Sequence, residues 1–404
     1  MQGPPNGDMA RHFCGLWGSL ATAALLGPLA TAAATATPVS YEIQARTVSG
    51  LGAAAAGGGL SAAAVLELIR AEAPASMRSL ELTLRSAGPL PSQRSAEHRI
   101  PAGLGLGEAL PLLPPAATDS RATQPSADDW DASQAQGRLL LYRGCTEDGP
   151  TPPVEVIELA QLLPDQRAMA MAMTRLGRLM ESANPDWAPG AVVGRWPNSL
   201  SSPPLPAPAS LVGSHTVRGE AIPEIAFALD PGDDFLQPIA MQAALVAGRW
   251  QLSWAPQTGV LGYQAMVAGP GQQEGDLVIW TSNAGELGDG SLLGALAPAA
   301  LASGFMADEG QLLAPQRTAC SLSPQATAQL QTAVLQFSAL GEPVQRQAPG
   351  VVPAWRLRLE RQAVLIQPLL EDIPTLSPAE GARVGPRKPP LFHRGAFNLL
   401  RGIF

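Results

Sequence analysis

Glycine and proline recur along the whole chain, with 41 glycines and 40 prolines among 404 residues. This share is too small for a collagen-like chain. It is too large for a bundle of long helices, because proline removes a backbone donor and glycine lowers helix stability. The composition therefore predicts a mainly β protein with a few short helices and long loops rich in proline and glycine.

Alternation of apolar and polar residues locates the strands. Residues 39–46 and 80–85 alternate strictly, which is typical of a strand with one buried face. Short apolar segments separated by turn residues are further strand candidates. They lie at 139–142, 154–157, 212–217, 222–229, 250–254, 261–267, 276–281, 333–339 and 355–360.

Local composition divides the chain. Residues 111–136 are rich in Pro, Ala, Ser and Asp without periodicity, which predicts a long surface excursion. The glycine- and alanine-rich run at 50–59 predicts a loop, while a helical period at 165–182 and the residues after Pro298 predict helices. The dense proline run at 201–209 predicts a linker between two domains. The predicted organisation is a signal peptide at 1–36, an N-terminal β-rich domain at 37–200, a linker at 201–209, a second β-rich domain at 210–373 and a basic tail at 374–404.

The N-terminal region carries the three parts of a secretory signal peptide. A positive flank precedes an apolar stretch at 13–29, and the small residues at 34–36 supply an exit. Pro28 and the alanine-rich end argue against a retained membrane anchor. We expect cleavage near Ala36 and a location in the periplasm or cell envelope, with Met1 and Met9 both open as the start of translation.

Cleavage at that point leaves Cys145 and Cys320 in the mature chain. In an oxidising compartment two cysteines are candidates for a disulfide. Two buried thiols in separate domains are the alternative, and the sequence leaves both open.

One segment resembles a known domain family. Residues 252–256 read Leu-Ser-Trp-Ala-Pro, and Gly259 and Gly262-Tyr263 follow. This run resembles the strand, turn and strand signature of fibronectin type III and related immunoglobulin-like domains, in which the tryptophan packs in the core. The resemblance implies an immunoglobulin-like sandwich at 210–373.

A wider set of segments is similar to a family of uncharacterised exported proteins of Gram-negative bacteria. That similarity implies no known activity. The segments are Leu139 to Cys145, Ser214-His215, Pro223 to Ile225, Ala319-Cys320 and Trp355 to Arg358.

The chain has no zinc-protease helix motif, no Cys-x-x-Cys pair, no phosphate loop and no Gly-x-Ser-x-Gly elbow. His98, His215 and His393 lie in unrelated contexts, so a three-histidine metal site would require the fold to gather them. We expect surface or hydrogen-bonded histidines instead, and no catalytic residue, cofactor or metal ligand is assigned.

Two acidic clusters and one methionine run are weighed as sites. Acidic loops can bind calcium or act on glycosides, but neither cluster has a calcium-loop spacing, and turn formation is the ordinary role of such aspartates. Thioethers select Cu(I), but the helical period around the methionines favours core packing. The residues are Asp128, Asp129, Asp131, Asp230, Asp233 and Asp234, and Met169, Met171 and Met173.

The formal net charge of −8 argues against nucleic acid as a partner. Residues 381–404 are basic and contain no acid, so this end could contact an acidic surface, a partner or an anionic membrane. A free end with a short helix is the alternative. We expect an exported, non-catalytic binding or structural module whose partner is an envelope protein or polysaccharide. The alternatives are a secreted polysaccharide hydrolase and a periplasmic copper protein.

Overall fold

Strands form most of the described part of the chain. The computed structural model describes residues 38–56, 76–86, 96–115, 137–149, 154–158, 190–219, 222–283, 312–330, 332–350 and 354–369. These residues all belong to one compact unit, which extends over Ala36–Phe404. The predicted mainly β class is confirmed, with the short helices α1 (Leu51–Ala56) and α2 (Pro324–Gln329) among the described residues.

The described strands are numbered in chain order. They are β1 (Val39–Gly50), β2 (Ser76–Ser86), β3 (Ala96–Arg99), β4 (Ala109–Leu112), β5 (Arg138–Arg143), β6 (Glu155–Glu158), β7 (Ala191–Trp196), β8 (Gly213–Gly219), β9 (Ile225–Leu229), β10 (Met241–Val246), β11 (Arg249–Trp254), β12 (Val260–Pro270), β13 (Leu277–Thr281), β14 (Ala319–Ser321), β15 (Ala333–Gly341), β16 (Val344–Gln347) and β17 (Trp355–Leu369).

The described strands build three sheets. The large sheet has ten strands in the order β6-β5-β13-β12-β15-β17-β1-β2-β7, with β16 also paired to β17. A four-stranded sheet has the order β4-β3-β8-β9, and a three-stranded sheet has the order β10-β11-β14. Residues 210–373 contribute strands to all three sheets.

The first and last described strands lie side by side. β1 pairs in parallel with β17 over its whole length, from Val39 opposite Trp355 to Gly50 opposite Ile366. β17 in turn pairs antiparallel with β15 and with β16. The proline-rich segment 201–209, predicted as a linker, connects β7 of the large sheet to β8 of the four-stranded sheet. Strands that precede this segment and strands that follow it, such as β1 and β17, both belong to the large sheet.

Two apolar cores lie against the large sheet. One packs the inward residues of β1 and β2 against the four-stranded sheet, and the other packs β12, β13 and β15 against the three-stranded sheet. β17 serves both, because Leu357 and Leu359 enter the first core while Ala363 and Leu365 enter the second. The period-two pattern predicted for β1 and β2 is the pattern by which these strands bury one face.

Two local predictions need correction. Helix α1 lies within the glycine- and alanine-rich run predicted as a loop, because alanine is the strongest helix former. Strand β4 includes Pro111 and Leu112, which were predicted to open the surface excursion. Leu112 is fully buried there, so packing outweighs the local composition. The helices predicted at 165–182 and from Pro298 lie outside the described residues.

Candidate functional site

Three buried polar side chains form a chain of hydrogen bonds between two sheets. The Tyr41 hydroxyl lies 2.8 Å from His98 Nδ1, and His98 Nε2 lies 3.0 Å from His215 Nδ1. The series ends where His215 Nε2 lies 2.7 Å from the carbonyl oxygen of Leu211. We call these four residues the buried relay. All three side chains are at most 1% exposed.

The alternation of the strands aims each side chain inward. Tyr41 occupies an inward position of β1, in register with Leu84 of β2 and Leu357 of β17. His98 is the inward residue of a strand whose neighbours Glu97 and Arg99 are exposed. The large sheet thus supplies the hydroxyl, and the four-stranded sheet supplies both imidazoles.

His215 and His98 lie on the same face of the four-stranded sheet. His98 is in register with Val217, two residues after His215 on β8. Phe227 of β9 lies in register with His215 and stacks on it, with ring centroids 4.9 Å apart and an interplanar angle of 4°. The aromatic ring closes one side of the second imidazole, and Tyr41 meets the first edge-on at 5.4 Å.

The acceptor at the end of the relay determines where every proton lies. A carbonyl oxygen only accepts, so His215 must carry its proton on Nε2, which leaves Nδ1 of the neutral ring as an acceptor. His98 therefore donates from Nε2 and accepts at Nδ1, and the Tyr41 hydroxyl donates to it. All hydrogen bonds in the relay are made when both histidines are neutral.

Burial opposes charge throughout the relay. It raises the pKa of Tyr41 well above its ordinary value. Burial, together with repulsion from His215, lowers the pKa of His98 well below its ordinary value. Burial also lowers the pKa of His215, although the hydrogen bond to Leu211 opposes the shift. The relay is thus neutral at neutral pH. Its side chains are buried, and their hydrogen bonds connect the large sheet to the four-stranded sheet.

A disulfide joins the large sheet to the three-stranded sheet. Cys145, just after β5 of the large sheet, is bonded to Cys320 in β14 of the three-stranded sheet, with Cα atoms 5.2 Å apart and a separation of 175 positions in sequence. Both residues lie in the second core, where they are at most 2% exposed. Of the two alternatives that the sequence left open, the disulfide is confirmed.

Glu147 lies beside the disulfide with its hydrogen-bonding capacity in use. Its carboxylate accepts from the Ser321 backbone N–H at 3.0 Å and lies 3.5 Å from Arg317. Burial opposes its ionisation, but the bonds from Ser321 and the charge of Arg317 outweigh burial, so the pKa of Glu147 is lowered. The Cys145, Glu147 and Cys320 ligand atoms lie within 4.8 Å of one another. Sulfurs joined in a disulfide offer no thiolate to a metal. The group is therefore a crosslink, and the ion pair between Glu147 and Arg317 lies beside it.

The second acidic cluster forms a turn. Asp230 and Asp233 make reciprocal bonds that cap a short 3-10 helix at Pro231–Asp233. Asp234 accepts from the Ser210 hydroxyl at 2.7 Å and from the Leu211 backbone N–H at 2.8 Å. These carboxylates hold the turn and the segment that carries the Leu211 carbonyl.

The structure brings two of the three weighed histidines together and leaves several predicted groups undescribed. His393, the cluster at 128–131, the methionines at 169–173, the signal at 1–36 and the tail at 374–404 lie outside the described residues. Tyr41 was missed as a partner of the histidines. The signal for it was a tyrosine at an inward position of an alternating strand, since a buried hydroxyl requires a hydrogen-bond partner.

A small polar depression lies on the large sheet. Its lining consists of Gln264, Met266, Gln336 and Ser338, and it has no room for a water molecule. None of these four side chains ionises, so the depression offers neither an acid nor a base.

Comparison with protein-family models found no match, and no curated protein was found to be similar to this chain. Among the residues that the structure describes, none of the helices has the length and apolar character needed to cross a bilayer.

Proposed function

We propose that this protein is exported to the cell envelope, where it acts as a non-catalytic binding or structural module. The Cys145–Cys320 disulfide carries this proposal. Disulfides buried in a core form and persist in oxidising compartments such as the periplasm, and they are rare in the cytosol. The signal-peptide pattern at 1–36 supports the same location from an independent part of the chain.

The use made of the reactive side chains supports a structural role. Tyr41, His98 and His215 are residue types that serve as acids and bases in enzymes, but here each is buried and hydrogen-bonded to another part of the fold. Asp230, Asp233 and Asp234 serve a turn in the same way. The polar groups of these six residues are used in contacts that hold the fold together.

The fibronectin-like resemblance enters this proposal as a local pattern. Trp254 packs in the second core, with its ring centroid 5.6 Å from that of Tyr263 on the next strand. The core position of Trp254 is the placement that the resemblance implies for the tryptophan, and it supports a relationship of residues 210–373 to immunoglobulin-like domains.

The location is tested by expressing the full chain in a Gram-negative host and fractionating the cells. We expect envelope or periplasmic protein that begins at Thr37 by intact mass and has no reactive thiol after denaturation. Full-length protein in the cytosol with reactive Cys145 and Cys320 would overturn the proposal.

A matched variant separates export from oxidation. Replacement of Leu25 and Leu26 by aspartate interrupts the apolar stretch and leaves the mature sequence unchanged. We expect the variant to stay in the cytosol with all three cysteines reactive. Equal distribution of the variant and the wild type would show that residues 1–36 do not direct export.

The basic tail is proposed as a contact for anionic lipid. Clustered arginines are attracted to anionic surfaces, and salt weakens that attraction. We expect the mature chain to sediment with vesicles containing phosphatidylglycerol at low salt. Neutral phosphatidylcholine vesicles and a chain truncated after Glu380 are the controls, and equal sedimentation of the truncated chain would remove the tail from the proposal.

A further inference from the structure

The buried relay is the polar link between the large sheet and the four-stranded sheet at the centre of the first core. Tyr41 belongs to β1 of the large sheet, whereas His98 and His215 belong to β3 and β8. The side chains around the relay in this core are apolar, including Leu84, Leu110 and Leu357. The hydrogen bond from Tyr41 to His98 therefore joins the two sheets by a directed contact inside this core.

The relay has no free site for another proton. An added proton would have to bind His98 Nδ1 or His215 Nδ1, and each of these atoms already accepts a hydrogen bond. Protonation of His98 ends its acceptance of the Tyr41 proton, so the hydroxyl could only accept from the imidazolium, and its own proton would have no partner in the relay. Protonation of His215 ends its acceptance of the bond from His98. Either event also places a cation in an apolar core, which is costly without a partner.

Among the residues that the structure describes, the charged groups on the surrounding elements make their contacts elsewhere. Glu97 and Arg99 on β3 pair with each other at 3.2 Å on the exposed face. Arg218 of β8 pairs there with Glu224, before β9, at 3.0 Å.

On the Leu211 side the neighbouring charges are Arg78 of β2 and Asp234. Arg78 donates to the Ala209 carbonyl, and Asp234 accepts from the Leu211 N–H. Both therefore bind backbone of the segment before β8. Glu42 and Arg46 of β1 lie at the outward positions of the strand that carries Tyr41. Besides burial, the group that lowers the pKa of His98 is the His215 imidazole.

Two other features would confine a separation of the four-stranded sheet from the large sheet to the first core. The edge of the four-stranded sheet is tied to the large sheet where Leu113 and Arg195 exchange backbone hydrogen bonds of 3.2 and 2.7 Å. The disulfide independently links the large sheet and the three-stranded sheet across the second core. Loss of the relay therefore frees one face of the four-stranded sheet while its edge and the second core stay attached.

We propose that the Tyr41–His98–His215 relay is an acid-sensitive latch that holds the four-stranded sheet on the large sheet when both histidines are neutral and releases it when either is protonated. Release exposes the apolar faces that the two sheets share. This regulatory device goes beyond the proposed envelope module and does not depend on its location.

Hydrogen exchange measured by mass spectrometry tests the latch on the full, oxidised chain. Exchange at pH 7.5 and at steps down to pH 4.5 is compared after correction for the intrinsic rate. We expect faster exchange in peptides from β3, β8 and β9 as the pH falls, roughly tenfold per pH unit for each proton taken up. Peptides from β12 and β13 should stay protected, and return to pH 7.5 should restore protection.

A double variant removes the ionisable groups and keeps hydrogen-bonding atoms in similar places. Asparagine at position 98 retains an acceptor for Tyr41, and glutamine at position 215 retains a donor for Leu211. In H98N/H215Q we expect exchange of β3, β8 and β9 to lose its acid dependence. His393→Gln is the matched control and should behave like the wild type.

Two outcomes would overturn the latch. One is an equal acid response in H98N/H215Q and in the wild type, and the other is an acid response spread equally over β12 and β13. Should the double variant lack native near-UV circular dichroism, Tyr41→Phe replaces it. Removing the hydroxyl leaves His98 Nδ1 free to take a proton, so the exchange midpoint should move to higher pH, and an unmoved midpoint would contradict the proposal.

Discussion

His98 Nε2 lies 3.0 Å from His215 Nδ1 in the interior of the first core, and the hydrogen bond between them requires one neutral imidazole to accept from the other. Of two histidines 117 residues apart in sequence, at least one is thereby held neutral. The pairing makes the stability of this half of the protein dependent on pH.

The free energy of unfolding should fall below about pH 6.5, the ordinary pKa of histidine in an unfolded chain. Burial lowers the pKa of both histidines in the folded state, so the unfolded chain binds more protons in the interval below that value. The stabilisation is complete above this interval and is lost as pH falls through it, by about 1.4 kcal/mol per pH unit for each histidine. Urea denaturation between pH 8 and pH 5 measures the slope, and the same slope in H98N/H215Q would assign it to other groups.

Tyr41→Phe should lower the free energy of unfolding by about 1–3 kcal/mol at pH 7.5, because it leaves the buried His98 Nδ1 without a donor. Tyr142→Phe is the matched control. Its hydroxyl makes no hydrogen bond within the described part of the chain, so we expect a change of less than about 0.5 kcal/mol. Equal losses in the two variants would show that the hydroxyl of Tyr41 contributes little.

The double variant C145A/C320A should lose about 4–5 kcal/mol of stability, because the disulfide closes a loop of 175 residues. Wild-type protein reduced with dithiothreitol in the denatured state and refolded should show a similar loss. Guanidinium denaturation compares the three samples. A loss below about 1 kcal/mol in both would mean that the packing of the second core holds the two sheets without the crosslink.

Arg361→Met should lower the free energy of unfolding by about 1.5–3 kcal/mol, because three backbone carbonyls lose a charged donor. The guanidinium donates to the carbonyl oxygens of Gly232, Gly259 and Glu342 and so ties three turns together. Arg99→Met, at an exposed ion pair, is the control, with an expected change within about 0.5 kcal/mol. Thermal or urea denaturation would contradict this account if both variants were equally stable.

Gly137→Ala should cost about 3 kcal/mol or more, whereas Gly107→Ala should cost about 1 kcal/mol. Both glycines have positive φ, +123° and +92°. A Cβ on Gly137 would overlap the carbonyl oxygen of Gly275, while a Cβ on Gly107 meets nothing within 4 Å. The difference between the variants in urea denaturation isolates the steric overlap, and equal costs would show that the backbone conformation alone is responsible.

The strands that the sequence located best are those with strict alternation, such as β1 and β2, because each inward residue contacts the same core. Short strands such as β4 and β7 were not predicted, because a proline or a glycine interrupts their apolar pattern. They form by pairing with strands from other segments of the chain. For the candidate site, His98 and His215 were recognisable in the sequence as candidate ligands, whereas their partner Tyr41 was not predicted. Cys145 and Cys320 were recognised as a pair whose bonding stayed open.

The sequence by itself determined the mainly β class and the buried faces of the long strands, because these follow from local composition and from a period of two along the chain. Only the tertiary structure decided that β1 lies beside β17, that Tyr41, His98 and His215 form one relay, and that the cysteines meet. These contacts join residues 57 to 316 positions apart. They depend on how the layers pack against one another, which no local pattern specifies.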